Sequence, residues 1–184
     1  MTTVIEDSCG SPATWLRSGP PPTAPWYVGP AHPADRPEVV ALFAACSPET
    51  VRLRFFGQLR EWPRDYLASA LSASPEEHDA VVAYDPHRAN VLGLASLAAP
   101  SACPPGIGEL GVLVADAWQR QGVGAALLDL LLTRARARGV ERVAASVLPG
   151  RSALLAALAR RVEPDSFLHS RDSLTGIYKL TRRA

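Results

Sequence analysis

Lysine is almost missing from this chain: Lys179 is the only one among nineteen basic residues, and eighteen acidic residues bring the net charge to +1. Without an excess of one sign there is no overall field to draw in a nucleic-acid backbone or an acidic membrane surface. The three cysteines, Cys9, Cys46 and Cys103, form no CxxC pair, and His32, His78, His87 and His169 lack metal-ligand spacing. Neither a disulfide framework nor a zinc site is implied, the histidines read as surface residues, and a reducing cytoplasm is the expected compartment. No apolar run reaches the roughly eighteen residues of a membrane span. The opening residues, MTTVIEDSCG, carry acids where a secretion signal carries lysine or arginine.

What is present is ordinary globular material, 47% apolar and 20% charged, in a length that suits one domain with a good core. Residues 1–25, interrupted by proline, glycine and serine every few positions, read as a flexible arm. The domain is expected over 26–184. It begins with a strand in WYVGPA, followed by helices in ADRPEVVALFAAC, SPETVRLRFFG and DYLASAL. In the second helix Ser47 suits the cap, Pro48 the first turn and Gly57 the end. DAVVAY (79–84) and NVLGLASL (90–97) read as a hairpin turned at Asp85 and Pro86. IGELGVLVA (107–115) is a further strand. A helix then runs from Gly122 to Arg138, stopped by Gly139 and facing the sheet with Val123, Leu127, Leu130 and Leu131. VERVAASVL (140–148), a helix in PGRSALLAALARRV, and the strands SFLHS and TGIYKL complete an α/β fold, a mixed sheet with helices on both faces.

The front of the long helix, QGVGAAL, carries almost no side chain. A helix start exposes unpaired N–H groups and the positive end of the macrodipole, so bare residues there make an anion site that a phosphate can approach closely. Two nucleotide-binding patterns are disfavoured: no GK[ST] follows, and Leu127 stands where the third glycine of a dinucleotide fingerprint belongs. A purely structural role, glycines easing the packing of helix on strand, remains the alternative. The second candidate is Glu109, a carboxylate among apolar neighbours on both faces of IGELGVLV. If that strand is central and buried, desolvation raises the carboxyl toward a general base near neutrality; if Glu109 lies near solvent or pairs with an arginine, its role is structural.

The run VLVADAWQRQGVGAALLDLLLTRARARGV resembles the acetyl-CoA signature of the GNAT superfamily of N-acetyltransferases, [R/Q]-x-x-G-x-[G/A] between a strand and a helix. Gln119, Gly122 and Gly124 fill its positions, and the order of elements over residues 26–182 is similar to the superfamily's. The resemblance implies that Arg120, Gln121, Gly122, Val123, Gly124 and Ala125 give backbone amides to the pyrophosphate of coenzyme A. It also implies that Val112, Leu113 and Val114 pair with the pantetheine arm where this strand and VERVAASVL splay apart, as a ligand would extend a sheet edge, and Gly111 suits a bulge that starts the splay. Glu109 matches the glutamate that serves in several such enzymes as general base. Ser152 replaces an asparagine found after a Leu-Pro pair in related proteins, and either touches the coenzyme or caps its helix. No tyrosine follows VERVAASVL to reprotonate the thiolate; Tyr178 reads as a packed residue, and Cys103 has no role.

The segment SPETVRLRFFG, with WQRQGVG and LPGRS, resembles the bacterial protein-lysine acetyltransferase branch. Arg52, Arg54, Phe55 and Phe56 then either line the acceptor groove or anchor the helix on the core. The implied activity is direct transfer of acetyl from acetyl-CoA to a primary amine, with a protein lysine as favoured acceptor, a small amine or amino acid as alternative, and no metal. A non-catalytic acyl-CoA-binding module is the rival reading. Exposed sheet edges leave a homodimer open.

Overall fold

The computed structural model describes residues 26–99 and 106–180. The expected arm, with Cys9, and the segment carrying Cys103 lie outside them. Seven strands form one sheet in the order β1-β2-β3-β4-β5-β7-β6: β1 Tyr27–Pro30, β2 Asp79–Tyr84, β3 Val91–Ala98, β4 Ile107–Val114, β5 Arg142–Val147, β6 Glu163–His169 and β7 Leu174–Lys179. Only β4 and β5 run parallel; every other pair is antiparallel. Helices α1 (Arg36–Ala44), α2 (Pro48–Phe55), α3 (Arg64–Ser72) and the single turn α4 (Pro75–His78) precede β2, α5 (Val123–Ala137) follows β4, and α6 (Ala153–Ala159) follows β5. The mixed α/β sandwich expected from the sequence is the one observed.

Two apolar clusters sit on the two faces. Val39, Leu42, Val51, Trp62 and Leu67 from α1 to α3 pack with Val82, Leu94 and Leu113. Val123, Leu127, Leu128, Leu131 and Leu132 of α5 pack with Val81, Ala95, Leu110, Val143 and Ala145, joined by Leu155 and Leu158 of α6. The buried stripe of α5 is wider than the sequence suggested: Leu128 and Leu132 are inside, and Leu130 is only half-buried. Gly139, at φ +78, ends the helix as expected. The β2–β3 hairpin turns where predicted, with the Asp85 carboxylate accepting from the Ala89 N–H at 2.8 Å and the Asn90 amide at 2.6 Å.

Three local expectations are corrected. The end of α2 falls on Phe56, which takes the left-handed conformation at φ 58, one residue before Gly57. Gly111 makes no bulge, since β4 pairs with β3 in unbroken register from Glu109 to Val114. His78 is buried rather than on the surface, because it ends α4 beneath Tyr66, ring centroids 5.3 Å apart. Burial, and then the nearby Arg54 charge, push its imidazolium below the ordinary range, while Asp79 opposes them weakly.

Asp79, 2% exposed, is the buried charge of the fold. It accepts from Arg134 Nε and Nη2 at 3.0 and 2.8 Å and from Arg138 Nη1 at 2.5 Å, tying α5 to the start of β2. Removing one partner of such a pair strands the other. Asp79→Asn is expected to lower unfolding stability by about 2–4 kcal/mol in urea titration, a cost kept moderate because both arginines reach some solvent.

His78 supplies a pH test. Its folded-state value is depressed, so the unfolded chain binds the proton more readily; the stability it contributes is complete above its ordinary value of 6.5 and is lost as pH falls through the folded value. The urea midpoint should decline below about pH 6.5, and His78→Gln should flatten that decline; an unchanged slope in the variant refutes the assignment.

Candidate functional site

β4 and β5 pair from Ile107↔Arg142 to Leu110↔Ala145 and no further. Beyond that point β4 stays paired with β3 to Val114↔Gly93, and β5 with β7 to Val147↔Leu174, so each strand keeps its outer neighbour and loses its inner one. A groove of about 380 Å³ opens in the gap. It is lined along β4 by Glu109 through Val114, on one side by Thr50, Leu53, Arg54 and Phe56, and on the other by Ser146, Val147, Leu148, Arg151 and Leu154. A second hollow of about 460 Å³, around Gly106–Gly108 and Arg138–Glu141, touches the strand pair only where it is closed.

Strand alternation divides the residues of the free edge. The Ala115 N–H donates to Leu92 O at 2.9 Å, so odd positions of β4 turn their main-chain groups to β3 and even positions turn theirs to the gap. Val112 therefore offers an N–H and a C=O to the groove. Val114 offers its N–H, and its carbonyl accepts from Gln119 Nε2 at 3.1 Å. Leu113, expected beside them, lines the wall but points its main chain to β3 and buries its side chain among α1 to α3.

The turn into α5 follows. Arg120 (φ 59) and Gly122 (φ 89) are both left-handed, and Gly122 caps the helix with no side-chain hydrogen bond. The first helical bond is donated by Ala126 to Gly122 O at 3.0 Å, which leaves the N–H groups of Val123, Gly124 and Ala125 at the mouth. Val123 turns its side chain fully inward. A Cβ on Gly124 would meet only Val114 Cγ2, at 3.6 Å, so the protein's own packing does not demand glycine there. Gln121 Nε2 holds Ala117 O at 2.7 Å. The free edge, the bare helix mouth and the turn between them fit a phosphate-bearing, amide-containing chain such as coenzyme A.

Glu109 lies at the far end of the groove and is exposed. The burial expected of it is absent, because the odd face of β4 opens into the groove at this position. Ser152 occupies the cap position of α6 without a capping hydrogen bond, and the groove wall there belongs to Arg151, Ala153 and Leu154. Tyr178 is fully buried, its hydroxyl donating to Leu155 O at 3.0 Å, as its reading as a packed residue required. Cys46 is half-buried; desolvation, and then Asp116, push its thiol up to about 11.

The segment 47–57 is split between core and groove. Ser47 caps α2, accepting from the Thr50 N–H at 3.2 Å. Phe55 packs edge-on against Trp62 and Tyr66 in the aromatic core, Arg52 pairs with Glu49, and Arg54 and Phe56 line the groove. Two features had no local signal. Asp116 accepts from the Ser47 N–H at 2.6 Å, the Ser47 hydroxyl at 2.9 Å and the Thr50 hydroxyl at 2.9 Å; although partial burial works the other way, these bonds hold its carboxyl below the usual range. With Gln119 Nε2 bonded to Thr50 Oγ1 at 3.1 Å, the turn before α5 is clamped to the front of α2. Glu49 also reaches Arg151 at 3.1 Å, joining the two walls of the groove. Among the described residues no group of three or more His, Cys, Asp or Glu is placed to hold a metal, and no helix is long and apolar enough to cross a membrane.

No curated protein matches the sequence. Solved structures share its fold. The GNAT domain of S. lividans PAT superposes with a TM-score of 0.72 at 21% identity, over 83% of this chain and 89% of that one. The yncA structure from Salmonella typhimurium, with its cofactor acetyl-CoA, gives 0.65 at 17% identity over 87% and 96%. The ribosomal-protein-alanine N-acetyltransferase from Brucella melitensis gives 0.64 at 21% identity over 83% and 98%. Residues 37–161, which carry the free strand edge, the glycine turn and both walls of the groove, match the Acetyltransferase (GNAT) family, and the chain belongs to that family of acetyltransferases.

Proposed function

We propose that the protein moves an acetyl group from acetyl-CoA to a primary amine by direct transfer. The observation that carries this reading is the continuity of the site: the unpaired edge at Val112 and Val114 leads to the uncovered N–H groups of Val123, Gly124 and Ala125 at one end and to Glu109 at the other. In this reading the pantetheine amides pair with Val112 and Val114 while the pyrophosphate rests on the turn from Arg120 to Ala125, with Gln119 bracing that turn. Ser152, at the start of α6 between Arg151 and Ala153 of the groove wall, serves in this reading from the rim of the groove.

The chemistry needs three things from the chain. A protonated amine must lose a proton, and Glu109, directly or through a water molecule, is the carboxylate at the groove end able to accept it. As the amine nitrogen bonds to the thioester carbon, charge gathers on the carbonyl oxygen, and the Val112 N–H is a fixed donor facing the gap. The carbon–sulfur bond then breaks and the thiolate leaves, taking up the proton that the attacking nitrogen sheds as it becomes the amide; no covalent enzyme intermediate is required. A protein lysine is the acceptor favoured by the resemblance of the α2 segment, and a ribosomal-protein amine is the substrate named for one protein of this fold. Arg54 favours a second class of acceptor.

Two measurements test the reading. Glu109→Gln should lower kcat for label transfer from acetyl-CoA to an amine panel by about 10²-fold or more while calorimetric affinity for the coenzyme is kept; turnover unchanged in the variant removes Glu109 from the mechanism, and coenzyme binding with no transfer to any amine by the wild type favours the binding module. Gly124→Val, at a position with room for the side chain's first carbon, should leave thermal unfolding within a few degrees yet weaken coenzyme binding by about tenfold or more, the worth of one charge-assisted contact. Undiminished affinity would remove the helix mouth from the site.

A further inference from the structure

Among the described residues Arg54 is a cation without a counterion. Its guanidinium lies over Gly111, where any Cβ would overlap it, so the missing side chain of the strand is what lets the charge rest on the sheet. Nη2 donates to the Tyr66 hydroxyl at 3.0 Å, and that hydroxyl lies 2.9 Å from Ser96 Oγ on the strand position opposite Gly111. The guanidinium carbon sits 4.8 Å from the Phe55 ring centroid and 5.1 Å from that of Tyr66. Both rings are themselves packed against Trp62, so the group is held in place from two sides. Among the described residues no carboxylate lies within 4 Å of it, and Nε is buried without any acceptor.

A rigid, unpaired guanidinium with free donors, lining a groove, matches the carboxylate geometry that arginine recognises best. Its place relative to Glu109 sets the spacing. Positions 109 and 111 share one face of β4 about 7 Å apart, so a ligand lying along that face meets the carboxylate at one end and the guanidinium at the other. An acceptor whose only charge is an ammonium is repelled by Arg54. One that carries an anionic group a few bonds from its amine satisfies both.

Resting on the acetyltransferase reading above, the geometry points to Arg54 as the specificity residue of the acceptor groove, selecting an amine that bears a carboxylate close by. The carboxylate comes from a free amino acid or from an acidic residue beside the lysine of a peptide; the chemistry recognised is the same.

The test compares matched acceptors under saturating acetyl-CoA: free amino acids against their carboxamides, and lysine peptides flanked by glutamate against the same peptides flanked by glutamine. Wild-type kcat/KM should favour the carboxylate member by about 10- to 100-fold, mostly through KM, as expected for one hydrogen-bonded charge. Arg54→Gln should bring the ratio close to one, and Arg54→Lys should restore part of it. Because the ratio is taken within each variant, loss of folded protein does not affect it, and coenzyme affinity measured without acceptor should stay unchanged. Which pair shows the preference identifies the source of the carboxylate. Equal use of acid and amide by the wild type, or a preference that survives Arg54→Gln, overturns the assignment while leaving acetyl transfer intact; bound coenzyme with no acceptor acetylated overturns both.

Discussion

The site depends on one interruption of hydrogen bonding. A parallel pair inside a seven-stranded sheet stops at Leu110 and Ala145, although both strands continue. A free edge in the middle of a sheet is ordinarily a liability, since its N–H and C=O groups will pair with any extended chain that arrives. Here the outer neighbours, β3 and β7, keep each half paired and in register, so the edge is held open rather than frayed. Its walls, α2 on one side and the start of α6 on the other, leave room for one narrow chain. The property that makes an edge hazardous is what makes this one a receptor for a ligand built from amides.

The parity of β4 then sorts the chemistry. Even positions face α5, and the mouth of that helix delivers its free N–H groups to the end of the gap. Odd positions face α1 to α3, which places Glu109 and the Gly111–Arg54 contact on the opposite side. In the proposed reading coenzyme and acceptor thus approach from different faces of one sheet and meet where the strands part. The Asp116 bonds to Ser47 and Thr50 link the two sides, because the turn assigned above to the phosphate end is bonded to the start of the helix that carries Arg54. Displacing that turn would move the acceptor wall with it.

Most of the fold was legible in local sequence. Period-two and period-3.6 patterns located all seven strands and the long helix to within two or three residues, and the glycine turn was visible because a helix without a side-chain cap is unusual. What stayed hidden was long-range or one-sided. Asp116 and Ser47 are 69 positions apart, and Tyr66 and Ser96 are 30 apart, so no spacing rule joins them. Glu109 was expected to be buried because its strand is apolar on both faces; the pattern cannot tell a face covered by a helix from one left open as a groove. Gly111 read as a bulge for the same reason, its missing side chain being required by an arginine from another element rather than by the strand itself. His78 looked like a surface residue because a lone histidine next to Asp79 carries no sign of the aromatic ring above it.

The charges at the acceptor end also bear on reactivity. At an effective dielectric near 20, unit charges about 7 Å apart interact by roughly 2 kcal/mol. In the proposed reading Glu109, closer to the amine than that, attracts an incoming ammonium more strongly, and Arg54, one strand repeat away, offsets part of the attraction. A neutral amine feels neither. The pair therefore loosens the hold on an acceptor that is a simple ammonium, the unreactive form, while in the proposed reading Glu109 remains the group that receives the proton. In the proposed reading a groove with Glu109 alone would hold any ammonium, whereas the guanidinium resting on Gly111 disfavours one that brings no anionic group of its own, so selection of the acceptor comes from the two charges together.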